Sequence, residues 1–326
     1  MPTLVAPPPT SAAPLRNFLT LDQLGPHGLR QLLDLTVRLK RDPAAFRNRL
    51  SGGRLGLLFN KPSTRTRVSF ESAAWLLGML PIVLRPDELQ LGRGETVADT
   101  ARTLSLYLNA LAVRTFSQAS IEELSEASSI PVINALTNEH HPCQAVADVM
   151  TLEESIGTLA GISVAFIGDG DNVCHSLMQA AALTGFELRV ATPQGYEPSA
   201  EIVAEARQRA LASGGSIVLT NDPAEAAYGA EAVYADVWTS MGKEDEAAAR
   251  KAAFTGFTVD SRLMRRASPK AIFLHCLPAH RGEEVAAEVI DGPASRVWPQ
   301  AENRMHTEAA LLYTILAGDP GGDRLP

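Results

Sequence analysis

The sequence predicts an α/β protein made of two doubly wound halves, each a parallel sheet covered by helices. Three observations lead there. Short apolar runs alternate with helical patterns along the chain, which implies parallel strands joined by right-handed crossovers. That alternation pauses near residues 150–160 and restarts at Gly161. The chain has 326 residues, 45% of them hydrophobic and 20% charged, a globular profile with room for two ordinary domains.

The elements follow in order. Thr20 to Gln23 form a lead-in turn, and a first helix opens near Pro26, a residue suited to the first helical position, and runs through LRQLLDLTVRLK. RLGLLF (54–59) reads as a buried strand, RVSFESAAWLL (67–77) as an amphipathic helix ended by Gly78, and LPIVL (80–84) as the next strand. A helix over 96–108 leads to strands ALAVRTF (110–116) and PVINAL (131–136), after which Pro142 opens a helix to about 156. In the second half ISVAFIGDG is a strand and turn, followed by a helix over 173–184 stopped by Gly185. Strands ELRVAT (187–192) and SIVLT (216–220) flank a helix over about 200–212 that ends at Gly214-Gly215. AVYADVW (232–238) and AIFLHCL (271–277) are the later strands, and a last helix covers about 301–317.

Composition narrows the function. A net charge of −8 and a pI near 5.4 argue against non-specific nucleic-acid binding, which needs a broad basic face. The chain lacks an apolar stretch of about 18 residues, so no membrane helix is expected. The Pro- and Ala-rich start, MPTLVAPPPTSAAPLRN, has neither the form of a signal peptide nor the repeated Arg of a transit peptide. Three widely spaced cysteines, Cys143, Cys174 and Cys276, have no metal-like spacing, and a cytoplasmic location without disulfides is the expectation.

In open parallel sheets ligands bind beyond the carboxyl ends of the strands. Ser63, Thr64, Arg65, Thr66 and Arg67 follow the strand 54–59 and open a helix, with Lys61 just before them. Helix-start N–H groups, hydroxyl donors and a fork-like guanidinium make that turn a phosphate site. Arg114 ends the strand 110–116, and His141 and Gln144 follow the strand 131–136, placed to hold a carbonyl group attached to the phosphate. The second half has IGDGDN (167–172) at a strand end, but Val173 stands where a dinucleotide fingerprint needs its third glycine. Asp236, in DVWTSMG, suits an ammonium group with Ser240 beside it, or else the cap of a helix over 244–253. Cys276 is either a small buried hydrophobe or a thiol or thiolate beside reacting groups. Arg304, in QAENR at the start of the last helix, is either a surface charge or a third anion ligand.

STRTR, HPCQ, DVWTSMG and HCLP, in this order, resemble the ornithine carbamoyltransferases over about residues 20–317. SMG and HCLP separate these enzymes from their aspartate relatives. The resemblance implies transfer of a carbamoyl group from carbamoyl phosphate to L-ornithine, with no metal or organic cofactor. It implies a carbamoyl-phosphate domain (1–150) and an ornithine domain (151–304), with a C-terminal helix (305–326) packing back on the first. It also implies a trimeric unit with sites at subunit interfaces, free to assemble further. By position, Ser63, Thr64, Arg65 and Thr66 would bind phosphate, and Thr66, Arg114 and His141 the carbonyl oxygen. Gln144 would meet the carbamoyl amide, Arg304 would add a carbamoyl-phosphate contact, and Cys276 and Leu277 would lie nearest the attacking amine. Gln90 would reach into a neighbouring subunit's site, and Asn172, Asp236, Ser240 and Met241 would hold the ornithine head group. The sequence departs from the family pattern at Asn60, Leu89, Glu139 and His140. Other readings are a sister transferase using aspartate, an acylated ornithine or putrescine, a ligand sensor, and a dehydrogenase.

Overall fold

The computed structural model describes residues 15–85, 87, 89–90, 94–240 and 243–317. Two parallel sheets organise them. The first holds β1 (Arg54–Phe59), β2 (Leu80–Leu84), β3 (Ala110–Arg114) and β4 (Val132–Leu136) in the order β2-β1-β3-β4. The second holds β5 (Ser163–Ile167), β6 (Glu187–Ala191), β7 (Ser216–Thr220), β8 (Ala232–Ala235) and β9 (Ile272–His275) in the order β7-β6-β5-β8-β9. Winding reverses between β1 and β3 in one sheet and between β5 and β8 in the other. Each reversal opens a crevice at the carboxyl ends of its strands.

Alternation along the strands explains why both sheet faces are covered. Leu55, Leu57 and Ala112 point into one large core that also takes Val164, Phe166 and Tyr234 from the second sheet. Their neighbours point the other way: Leu58, Leu111 and Val113 into an outer core, and Ala165, Ile167 and Val233 into another. The covering helices are α1 (Gly25–Arg41), α2 (Thr64–Leu77), α3 (Val97–Ser105), α4 (Gln118–Ala127), α5 (Pro142–Ile156), α6 (Asn172–Thr184) and α7 (Ala200–Ser213). Short α8 (Pro223–Ala227), α9 (Ala247–Ala253), α10 (Ser261–Met264) and α11 (Ala287–Ile290) precede the long α12 (Val297–Ala317).

Gly78 and Gly185 end α2 and α6 in left-handed conformation, at φ 81° and 82°, as their positions in the sequence suggest. Gly170 is needed for a different reason. A Cβ there would meet the backbone of Glu197 and Pro198, so only glycine fits where the turn after β5 passes the β6–α7 connection.

Several elements differ from the sequence expectation. Strands β3, β8 and β9 stop at Arg114, Ala235 and His275, two or three residues short of their apolar runs. Register shifts at Val113/Arg114, and Leu277 takes a φ of 60°, which turns the chain out of the sheet. Helix α12 starts at Val297 rather than near 301, because Pro299 lies in its first turn, where its missing N–H breaks no intrahelical bond. Helix α4 went unread in the sequence: it is short and buries only Ile121, Leu124 and Ser125. Helix α12 returns to pack on α1, α2 and α5, so the C-terminal helix closes over the first half.

Candidate active site

The first wall of the site is the start of α2. Ser63 is its N-cap in extended conformation, yet no side chain occupies the cap. The first-turn N–H groups therefore keep their donor capacity for an outside acceptor. Arg114, at the end of β3, is buried, and its pKa is pushed down to about 10 by burial first and then by Arg304 and Arg65. It stays cationic at neutral pH, and a bound anion would relieve the crowding of like charge around it.

Arg304 is 6% exposed, which rules out the surface-charge reading. Its Nη1 donates to Gln144 Oε1 at 2.7 Å, and its Nη2 to Glu308 Oε1 at 2.6 Å and Thr66 Oγ1 at 3.4 Å. Burial pulls its pKa down, but Glu308, with smaller contributions from other nearby acidic groups such as Asp148, brings it above the ordinary value. His141 is the N-cap of α5, buried, and anchored through its own N–H to Ser176 Oγ at 2.8 Å. Burial, then Arg304, Arg114 and Arg65, hold its pKa well below the ordinary value, so the ring is neutral and offers a hydrogen bond rather than a charge.

The opposite wall comes from the second sheet. Asn172 opens α6 and donates Nδ2–H to the Thr137 carbonyl at 2.8 Å. Asp236 follows β8 directly; its Oδ1 accepts from Val237 N at 2.8 Å and from Cys276 Sγ at 3.1 Å. It caps no helix, since the N-cap of α9 is Glu246. Burial raises the Asp236 pKa. The Cys276 thiol is pushed far up by burial and then by Asp236, so it is a protonated donor and not a thiolate.

One cavity of about 420 Å3 joins the two walls. Of the residues expected from the sequence, Ser63, Thr64, Arg65, Thr66, Arg114, His141, Asn172, Asp236, Ser240, Cys276, Leu277 and Arg304 line it. Gln144 faces an adjoining cavity of about 350 Å3 that shares Thr64, Arg65, Cys276 and Arg304 with the first. Gln90 is exposed and lines neither, and Met241 lies outside the described residues. Lys61, Asn138, Asp171 and Lys243 also line the main cavity, although the sequence reading gave them no role. Lys61 donates to Asn138 Oδ1 at 2.6 Å, and Lys243 to Asp171 Oδ2 at 2.9 Å. Their signal was adjacency, one beside STRTR and the other directly after SMG.

The turn after β5 is unsuited to a dinucleotide. Buried Asp169 takes Arg250 Nη1 at 2.5 Å and Asp171 takes Lys243, so carboxylates stand where a pyrophosphate would need open donors. Of the sequence departures, Asn60 donates Nδ2–H to Thr115 Oγ1 at 3.1 Å and touches no cavity residue's side chain through that bond.

Comparison with known proteins decides the family. Residues 16–154 match the carbamoyl-P binding domain of aspartate/ornithine carbamoyltransferase, and residues 160–315 match its Asp/Orn binding domain. The chain belongs to this carbamoyltransferase family. An ornithine carbamoyltransferase of Symbiobacterium thermophilum is 50% identical over 304 residues, 93% of this chain and 98% of that one. Another, of Methanoculleus marisnigri, is 48% identical over 305 residues, 93% and 97% of the two chains. Among solved structures, the ornithine carbamoyltransferase of Pyrococcus furiosus superposes with a TM-score of 0.91 at 44% identity, covering 94% of this chain and all of that one. The carbamoyltransferase match to the second domain includes α12, whose buried face nevertheless lies on the first half.

Proposed function

We propose that the protein transfers the carbamoyl group of carbamoyl phosphate to the δ-amine of L-ornithine, giving L-citrulline and phosphate. One observation supports this above others: the open start of α2 with Arg65 and Arg114 faces the Asp236–Cys276 pair across a single cavity.

Phosphate takes the helix-start N–H groups, the hydroxyls of Ser63, Thr64 and Thr66, and Arg65. The carbonyl oxygen points at Arg114, neutral His141 and Thr66. The neutral δ-amine attacks the carbonyl carbon, an N–C bond forms, and negative charge grows on that oxygen. Donors fixed in place before reaction stabilise this charge without reorganising, often the largest catalytic contribution. The C–O bond to phosphate then breaks as the proton lost by the attacking nitrogen passes to the leaving phosphate oxygen, and Arg65 and Arg304 balance the hydrogen phosphate dianion that departs. Asp236, Asn172 and Ser240, with Met241, hold the ornithine head group, and the poorly solvated space beside Cys276 favours the uncharged amine. Among the described residues, those within 1–150 and 305–326 form the carbamoyl-phosphate domain and those within 151–304 the ornithine domain.

The same reading includes a trimer in the cytoplasm in which Gln90 completes a neighbour's site. Exposed Trp75, Leu80, Leu106 and Tyr107, all on the first half, supply apolar surface for such a contact. Among the described residues no helix is long and apolar enough to cross a membrane. The test is citrulline formation from carbamoyl phosphate and L-ornithine, with aspartate, N-acetylornithine and putrescine as parallel acceptors. Fast turnover with ornithine alone is expected. Turnover with another acceptor rejects the assignment of Asp236 to Met241, and no turnover with any acceptor rejects the transferase reading.

A further inference from the structure

We propose that Asp148 is a positioning residue that sets which end of the Gln144 amide meets the bound carbamoyl group. This rests on carbamoyl phosphate being the substrate, and it adds a residue that neither the sequence motifs nor the cavity walls point to.

Asp148 is fully buried on α5, one helical turn after Gln144. Its Oδ1 accepts from Gln144 Nε2 at 2.8 Å and from Gln300 Nε2 at 2.7 Å, while its Oδ2 accepts from the Tyr234 hydroxyl at 3.3 Å. On the far side of the same amide, Arg304 Nη1 donates to Gln144 Oε1 at 2.7 Å. A guanidinium only donates, and Asp148 Oδ1 is already an acceptor for Gln300. Turning the Gln144 amide over would set donor against donor at Arg304 and acceptor against acceptor at Asp148. One orientation survives, with Oε1 on the Arg304 side, toward the reacting groups.

That orientation reads chemistry. A carbonyl oxygen has two lone pairs, and Arg304 uses one; the other accepts from an N–H of the carbamoyl NH2. A methyl group in that place offers no donor. Gln144 therefore separates a carbamoyl from an acetyl group only while Asp148 holds its amide.

The arrangement also survives a change of protonation. Burial pushes the Asp148 pKa up to about 7. A proton on Oδ2, facing the Tyr234 oxygen, leaves Oδ1 free to accept from both amides. Gln300 extends the support by accepting His275 N–H on its own Oε1 at 2.9 Å, which ties the end of β9 to the same group.

The experiment measures the KM for carbamoyl phosphate and the inhibition constant of acetyl phosphate in citrulline formation. Wild-type turnover must be present first; its absence overturns the substrate reading and not the role of Asp148. In Asp148→Leu the ratio of the two constants is expected to move about tenfold toward equality, the discrimination that one hydrogen bond supplies. Gln144→Leu should do the same, and the double variant should add nothing further, because both changes remove one contact. A folded Asp148→Leu enzyme that discriminates as wild type does overturns the proposal; a role in stability alone would move the melting temperature and leave the ratio.

If Asp148→Leu does not fold, an exchange carries the test. Gln144→Glu sets a second carboxylate against Asp148 and should lose discrimination. Adding Asp148→Asn together with Gln300→Glu puts an amide NH2 where Oδ1 stood, donating to both introduced carboxylates, leaves its oxygen to accept from Tyr234, and should recover the ratio to within about threefold. Failure of the folded exchange variant to recover it also overturns the proposal.

Discussion

At the residue scale, burial and neighbouring charge fix the protonation states of the candidate site's side chains. His141 is neutral because burial and three guanidinium groups oppose its charging, and Cys276 stays a thiol because burial and Asp236 oppose its ionisation. Arg114 remains charged despite burial. The Arg114→Ala variant should therefore lose the charge that meets the developing oxyanion: kcat is expected to fall about 10^3-fold with the melting curve intact, and near-normal kcat would reject its role. Asp236→Asn should raise the KM for ornithine about 100-fold while leaving that for carbamoyl phosphate within about threefold, since the pair lost is a charge-assisted one on the ornithine side. Equal losses for both substrates would rule out the head-group assignment. Most of these residues were legible in the sequence because each sits at a strand end in a run of unusual donors. Asp148, Gln300 and Glu308 were not, since a buried polar side chain on a helix shows its purpose only through its partner.

At the element scale, helix starts and strand ends deliver the chemistry, and two glycines show how closely they are fitted. Gly78 frees α2 to end at φ 81°, and Gly170 lets the turn after β5 pass the backbone of residues 197–198. Gly170→Ala must push that backbone away. A loss of about 1–3 kcal/mol is expected, read as a drop of several degrees in melting temperature, together with a raised ornithine KM because Asn172 follows in the same turn. An unchanged melt and KM would mean the close approach is easily relaxed. The sequence located these elements within a few residues wherever an apolar run or a capping glycine bounded them. It missed α4, and it overran β3, β8 and β9, because hydrophobic runs report burial and not where sheet hydrogen bonding stops.

At the scale of the whole molecule, two sheets with aligned reversal points create one cleft, and α12 crosses back to hold them in register. Its Arg304 reaches Gln144 and Thr66, while Gln300 bridges Asp148 of the first half and Tyr234 of the second sheet. Loss of catalysis in one half should then be complemented from another subunit if Gln90 acts across an interface. Mixing Gln90→Ala and Arg65→Ala subunits under exchange is expected to restore part of wild-type citrulline formation from two inactive parents. No recovery, with hybrid oligomers verified by mass, would count against shared sites.

Local order along the chain was enough to establish the two-sheet plan, the strand ends that bear Ser63 to Thr66, Arg114, His141, Asp236 and Cys276, and the family they resemble. Periodicity, turn residues and local motifs depend on neighbours along the chain, so they can be read in one dimension. Folding had to occur before Arg304 became buried and charge-paired, Cys276 a thiol bonded to Asp236, and Gln144 held in one orientation. Those properties come from burial and from contacts across long sequence separations, 160 residues between Arg304 and Gln144, which raise or lower a pKa and choose a hydrogen-bond direction only when the chain has folded.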